Sequence, residues 1–332
     1  MYEKFYNLTG IPFQLTPDSR FFFGSSGHSR AIAHLVYGLA QEEGFIVITG
    51  EVGAGKTTLV EQLWSQLDRQ SYVMARVVTT RVSGDDLLRL AVADFGVSDD
   101  GGTDKATLLR RFERLAREQR AAGRRCVLVV DEAQNLTMAA LEELRMLSNI
   151  TVDGRASVQT ILLGQPQFRA MLANPDLEQL RQRVLASYHL GPLTEAESRA
   201  YVEHRMTRAG WHGDPRWEDA AYTYLYRHTG GIPRRINTLC SRVLLYGAIE
   251  ESHEITGPMV EATASELQED LGAGLPAAQP VMVASAYSAS AGAATGHDDA
   301  VVKRIEALED NAKRQDRVFR RLMDMLSAVA VR

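Results

Sequence analysis

One stretch constrains the fold more than any other: the apolar run "GFIVIT" from Gly44 passes into the loop "GEVGAGKTT" and then into a helical pattern. Gly50, Gly53, Gly55, Lys56 and Thr57 fit the spacing GxxxxGK[ST], in which glycines let backbone N–H groups curl around a phosphate. Gly50, Glu51, Val52, Gly53, Ala54 and Gly55 form the loop, and Lys56, Thr57 and Thr58 open the helix. Lys56 is the candidate for the outer phosphates, and Thr57 supplies the hydroxyl that a small hard cation such as Mg2+ needs. The strand before and the helix after are the context this loop requires. A merely structural glycine turn has no use for either.

Binding a phosphate does not call for the second motif, "VLVVDEAQ". It ends an apolar run with Asp131 and Glu132, two carboxylates at the carboxyl edge of a sheet, where open α/β sheets bind ligands. Asp131 is the candidate metal ligand, and Glu132 the candidate base that orients or deprotonates an attacking water. A scaffold that uses nucleotide only to fold would not need this pair.

The chain has 332 residues, 45% of them hydrophobic, enough for one sizeable core and a smaller one. A formal net charge of −5 excludes a protein that coats nucleic acid over its whole surface, though not a local basic patch. Cys126 and Cys240 lie far apart and read as reduced core thiols. The eight histidines show no metal-ligand spacing. The opening "MYEKFYNLTGIPF" has no secretory pattern, and no apolar run approaches the roughly 20 residues needed to span a bilayer. These features predict a cytoplasmic protein with no transmembrane segment.

Five apolar runs begin at Phe45, Tyr72, Cys126, Ser157 and Val184, with helical patterns over about 84–96 and 104–122 and from Lys56 and Thr137. Unbroken Val/Ile/Leu runs are what strands covered on both faces require, so the expected fold class is α/β, a three-layer parallel sheet over 1–191. Strand signals stop at Pro192, and helical patterns over about 194–209, 217–229, 233–249 and 256–268 predict an all-helical domain over 192–270. Thr194 and Glu197 can form a capping box at its start. Residues 271–300 are rich in Ala, Gly, Ser and Pro and read as a flexible linker.

With these motifs the chain resembles the AAA+ ATPases. Gly50 to Thr57 looks like Walker A and Val127 to Glu132 like Walker B, which implies ATP and Mg2+ as cofactors and a homo-oligomer. The resemblance places Gln165, in "ILLGQPQF", at the polar sensor-1 position, and Arg234, in "TGGIPRRINTL", at sensor 2 of the lid. It makes Arg183 the arginine finger that completes a neighbouring subunit's site, with Arg181 the alternative. The stretches "FYNLTGIPFQLTPDSRFFF", "HSRAIAHLVYGL", "DEAQNLT", "LRMLSN" and "GQPQF" resemble the general secretion pathway protein A branch, whose relatives also occur beside exopolysaccharide and exosortase systems. That branch implies ATP-driven assembly or remodelling of an envelope or secretion machinery through a protein client, with peripheral attachment at the inner membrane through a partner. The rival reading is a DNA-binding helper ATPase of transposition or origin-recognition type, using bases such as those in "RRINTLCSR". The resemblance also puts Pro12, Phe13 and the 28–38 helix beside the base, while Phe21 to Phe23 are expected to pack against the sheet.

The last helical pattern, within 301–332, spaces Ile305, Leu308, Ala312, Gln315, Phe319, Leu322, Leu326 and Val329 in steps of three and four. This is a heptad seam, expected to form a coiled coil with another copy or with a partner helix.

Overall fold

The computed structural model describes residues 2–272 apart from 17, 79–82, 98–103 and 153. The last described helix runs through Leu271 and Gly272, two residues into the stretch expected to be linker; the rest of that stretch, 273–300, and the heptad helix lie outside the described residues. Helices α1 (Tyr2–Phe5) and α2 (Ser26–Ala40) precede strand β1 (Phe45–Gly50), and α3 (Lys56–Gln66) leads to β2 (Tyr72–Val78). Helices α4 (Gly84–Asp94) and α5 (Lys105–Ala121) lead to β3 (Arg125–Asp131), and α6 (Met138–Ser148) to a short hairpin, β4 (Thr151–Val152) with β5 (Arg155–Ala156). Then come β6 (Val158–Gly164), α7 (Pro166–Leu172), α8 (Glu178–Arg181) and β7 (Val184–Leu190).

Among the described residues, five strands form one parallel sheet in the order β2-β3-β6-β1-β7. Its register sets Val47 opposite Leu162 on one side and Ser187 on the other. Strand side chains alternate between faces. Phe45 and Val47 of β1 therefore join a core with Leu87, Phe112 and Leu141, while Ile46 and Ile48 join the opposite core with Leu35 and Leu59. Both faces are apolar, which is why β1 and β3 read as near-continuous hydrophobic runs, while β6 buries Gln159 and Thr160 among its apolar residues. β7 differs from that expectation: it is an edge strand, and burial along it is interrupted at Leu185, Ser187 and His189.

The second unit contains α9 (Glu195–Arg208), α10 (Asp219–Thr229), α11 (Pro233–Ile249) and α12 (Gly257–Gly272). The capping box forms as the sequence suggests, with Thr194 and Glu197 exchanging hydrogen bonds at the start of α9. Two short strands, β8 (Arg216–Trp217) and β9 (Glu254–Ile255), pair beside these helices. Two-residue ladders carry no periodicity, so the sequence offers no sign of them. Both cysteines are buried thiols, and burial pushes the Cys126 thiol up to about 11. No described helix is long and apolar enough to cross a membrane.

The N-terminus departs from the sequence expectation. Tyr2, Tyr6, Leu8 and Phe13 pack into the helical unit's core with Met206, Leu239 and Val260, and Thr9 N donates to Ala209 O at 2.8 Å. Phe13 is 2% exposed inside this core and does not line the base-side cavity described below. The sheet's two faces are already covered by their own helices, so these aromatics gain more by closing the unsealed core of the small helical unit.

Candidate nucleotide site

β1 ends at Gly50, and the chain turns through Gly53 at φ +82° and Gly55 at φ +96°, left-handed values that favour glycine. α3 starts directly at Lys56, and its N-cap, Gly55, offers no side-chain hydrogen bond. The first-turn N–H groups of α3 are thereby available to an anion. Lys56 is buried, and its Nζ donates to Gly50 O at 2.8 Å and Glu51 O at 3.0 Å. Burial lowers its pKa, opposed by the carboxylates of Glu132, Asp131 and Glu51.

Thr57 Oγ1 donates to Asp131 Oδ2 at 2.7 Å, joining the phosphate loop to the end of β3. Asp131 Oδ1 accepts from the Glu132 backbone N–H at 2.9 Å. Glu132 itself sits at φ +54°, unusual for a residue with a side chain, and this turns the chain sharply at the strand end. Its Oε2 accepts from Gln134 Nε2 at 2.5 Å and from Gln165 Nε2 at 3.0 Å, while Gln165 N donates to Gln134 Oε1 at 2.9 Å. Two amides from separate strand ends thus aim one carboxylate.

A cavity of about 360 Å³ opens between this rim and the helical unit. Lys56, Thr57, Glu132 and Arg234 face it from the phosphate end. Arg234 follows Pro233 in the first turn of α11, and its N donates to Gly53 O at 3.2 Å. At the other end Arg205, buried, donates from Nε to Pro12 O at 2.6 Å and from Nη1 to Tyr201 Oη at 2.8 Å, with its guanidinium 4.9 Å from the Phe21 ring centre. Phe21, Phe22 and Phe23 all line this cavity, and Phe23 packs edge-on to Tyr201 of α9 at 5.8 Å. The expectation that they pack against the sheet is corrected: helices cover the sheet, and α9 offers an aromatic face instead.

The structure therefore brings together Lys56, Thr57, Asp131, Glu132, Gln165 and Arg234. Arg183 is elsewhere. Its carbonyl accepts from Phe45 N at 2.9 Å, at the amino end of β1, so roughly 17 Å of strand separates it from the loop. Its Nη1 donates to Ser148 Oγ at 3.0 Å, and the alternative, Arg181, is exposed and paired with Glu178. Arg76 of β2 is a residue the sequence reading missed. It reaches Asp131 Oδ2 at 3.4 Å and Glu61 at 3.2 Å, and its one signal was a charged residue inside an apolar run.

Mg2+ takes one or two carboxylates together with phosphate oxygens rather than a dedicated cage of protein ligands. The Thr57–Asp131 pair beside a glycine cradle fits that demand, although the described residues contain no cluster of three or more His, Cys, Asp or Glu suited to a metal. Thr57 and Asp131 are the residues that would hold the ion.

Residues 39–172 match the AAA domain family model. General secretion pathway protein A of Aeromonas hydrophila is 37% identical over 267 residues, 80% of this chain and 48% of that protein, so the chain spans about half the length of this relative. Among solved structures, Cdc6p of Pyrobaculum aerophilum has a TM-score of 0.62 at 16% identity, covering 79% of this chain and 75% of that one. The ADP form of the Aeropyrum pernix ORC2 protein has a TM-score of 0.58 at 17% identity, covering 82% and 74%. These two establish the fold alone. Residues 39–172 thus carry an AAA domain, and over 267 residues the chain is related to general secretion pathway protein A.

Proposed function

We propose that the protein hydrolyses ATP and couples that cycle to assembly or remodelling of a secretion or exopolysaccharide/exosortase-associated machinery, acting on a protein client. The observation that carries the hydrolytic part is the Glu132 carboxylate, held by Gln134 and Gln165 beside the glycine loop and the Thr57–Asp131 hydrogen bond. Magnesium ATP, when bound, supplies the phosphoanhydride bond that is cleaved. Lys56, the loop N–H groups and Arg234 hold the phosphates, and the wall of Phe21, Tyr201 and Arg205 encloses the other end. Glu132 takes the proton of the attacking water, with the Gln165 amide fixing the carboxylate's direction. Arg183 serves a neighbouring copy in a homo-oligomer, since it is too far from its own cavity to act there. The 37% identity to general secretion pathway protein A supports an envelope client, recruited in the cytoplasm at the inner membrane through a partner.

The test separates holding from cleaving. Lys56→Ala weakens ATP binding, whereas Glu132→Gln binds ATP and hydrolyses it at least about a hundredfold more slowly. Wild-type turnover in Glu132→Gln would remove Glu132 as the base. Salt-dependent binding of duplex DNA in the presence of ATP would favour a DNA-acting role over an envelope client.

A further inference from the structure

The first turn of α2 stands over the phosphate loop, and one of its side chains has no role in the site so far described. Ser25 caps the helix: its Oγ accepts from His28 N at 3.2 Å and lies 2.7 Å from His28 Nδ1. Ser25 is 4% exposed and His28 6%, so water offers little to either. The Ser25 hydroxyl must place its own proton, and His28 Nδ1 is the acceptor the structure sets beside it. Donation from Ser25 to Nδ1 fixes the ring as the tautomer protonated at Nε2. Burial pushes the His28 pKa below the ordinary histidine value, against the pull of the Glu197 carboxylate, so the ring is neutral near pH 7.

Nε2 faces Gly55. A methyl group built on Gly55 would stand 2.9 Å from this nitrogen. His28 also lines the cavity shared by Gly55, Lys56, Thr57 and Thr58, and no protein acceptor is hydrogen-bonded to Nε2 among the described residues. Nε2 opens onto this cavity, beside Gly55, where the first N–H groups of α3 converge. Its position is braced from outside the loop: Ser26 N donates to Glu197 Oε1 at 2.9 Å, tying this turn to α9.

We propose that His28 is a phosphate-contacting residue, whose Nε2–H donates a hydrogen bond to a phosphate oxygen of a bound nucleoside di- or triphosphate. This rests on the nucleotide reading above. A neutral donor adds a hydrogen bond at this point without setting a second cation beside Lys56. Ser25 is the positioning residue that selects the tautomer.

The test uses the full chain, with calorimetric titration of magnesium ADP and of magnesium tripolyphosphate. A glutamine amide at position 28 can reach the place of Nε2, whereas an asparagine amide reaches only that of Nδ1. His28→Asn weakens both ligands about tenfold, and His28→Gln stays within about threefold of wild type. The 15N resonance of His28 Nε2 in the wild-type protein shifts on addition of either ligand, which a packing role would not cause. Thermal unfolding without ligand checks that both variants fold, and the nitrogen resonance tests the proposal on the unmodified chain if either does not. Unchanged affinity in His28→Asn, equal loss in both folded variants, an unmoved resonance, or a loss confined to ADP would each overturn the proposal. The last outcome would put the acceptor on the nucleoside. Wild-type protein that binds neither ligand would overturn the nucleotide reading itself. Tight wild-type binding abolished by Lys56→Ala but unaffected by His28→Asn removes only the histidine.

Discussion

Gln165 Nε2 donates a 3.0 Å hydrogen bond to Glu132 Oε2, joining the carboxyl ends of β6 and β3 at the cavity rim. The carboxylate's direction is therefore set in part by an amide from another strand, alongside that of Gln134, and the Gln165 amide acts through Glu132. Gln165→Leu is expected to slow ATP turnover about ten- to a hundredfold with ATP affinity close to wild type. Steady-state kinetics alongside equilibrium binding decide it. A matching fall in affinity would mean that Gln165 holds nucleotide instead.

Gly53 is the point where the lid meets the loop. At φ +82° a methyl group on it would lie 2.3 Å from Arg234 Cβ, so the loop and the start of α11 touch with no room between them. Gly53→Ala is expected to push Arg234 off the loop and to weaken ATP at least about tenfold, through backbone strain and lost phosphate contact together. Calorimetry measures the affinity, and small-angle scattering the separation of the two units. Wild-type affinity would show that Arg234 contributes nothing to binding.

Arg183, at the amino end of the sheet, is expected to work on another copy. Arg183→Ala keeps ATP affinity and loses about a thousandfold in turnover. Mixing it with Glu132→Gln subunits restores part of the activity, because one interface in the mixture pairs an intact arginine with an intact glutamate. Verified mixed oligomers that stay inactive would exclude this arrangement.

Glu197 links pH to the attachment of α9. Partial burial alone would raise its pKa, but hydrogen bonds from the Thr194 and Ser26 backbone N–H groups outweigh it and hold the carboxyl at about 2. A folded-state pKa below the unfolded value means that the stabilisation is present above about pH 4.5 and is lost as pH falls towards about 2. Glu197→Gln is expected to cost about 1 kcal/mol at neutral pH, with the gap to wild type closing under acid. Urea midpoints at several pH values report this, and a gap independent of pH would contradict it.

The heptad seam, which lies outside the described residues, yields a prediction from sequence. Removing 273–332 leaves ADP affinity unchanged and weakens self-association or client recovery, and Glu at Phe319, Leu322 and Leu326 reproduces the effect. Sedimentation and co-purification measure both. Unchanged behaviour in both proteins would make the segment a passenger.

The loop residues, Asp131 and Glu132 were legible in the sequence because their chemistry depends on short spacings: a glycine where φ must be positive, a lysine and a hydroxyl on one helical turn, carboxylates at the end of an apolar run. The sheet was legible for the same reason, since strands buried on two faces are mostly apolar. What tertiary structure decided is which surfaces meet. The N-terminal aromatics could serve any uncovered apolar face, and only the assembled fold reveals that the sheet is already covered while the helical unit is not. Arg76 beside Asp131, Gln165 on Glu132 and His28 over Gly55 each join residues dozens of positions or more apart, or belong to a helix whose docking is not encoded in its own periodicity. Local patterns specify periodicity and backbone angles. The pairing of distant side chains follows from how the elements divide the available apolar surface among themselves.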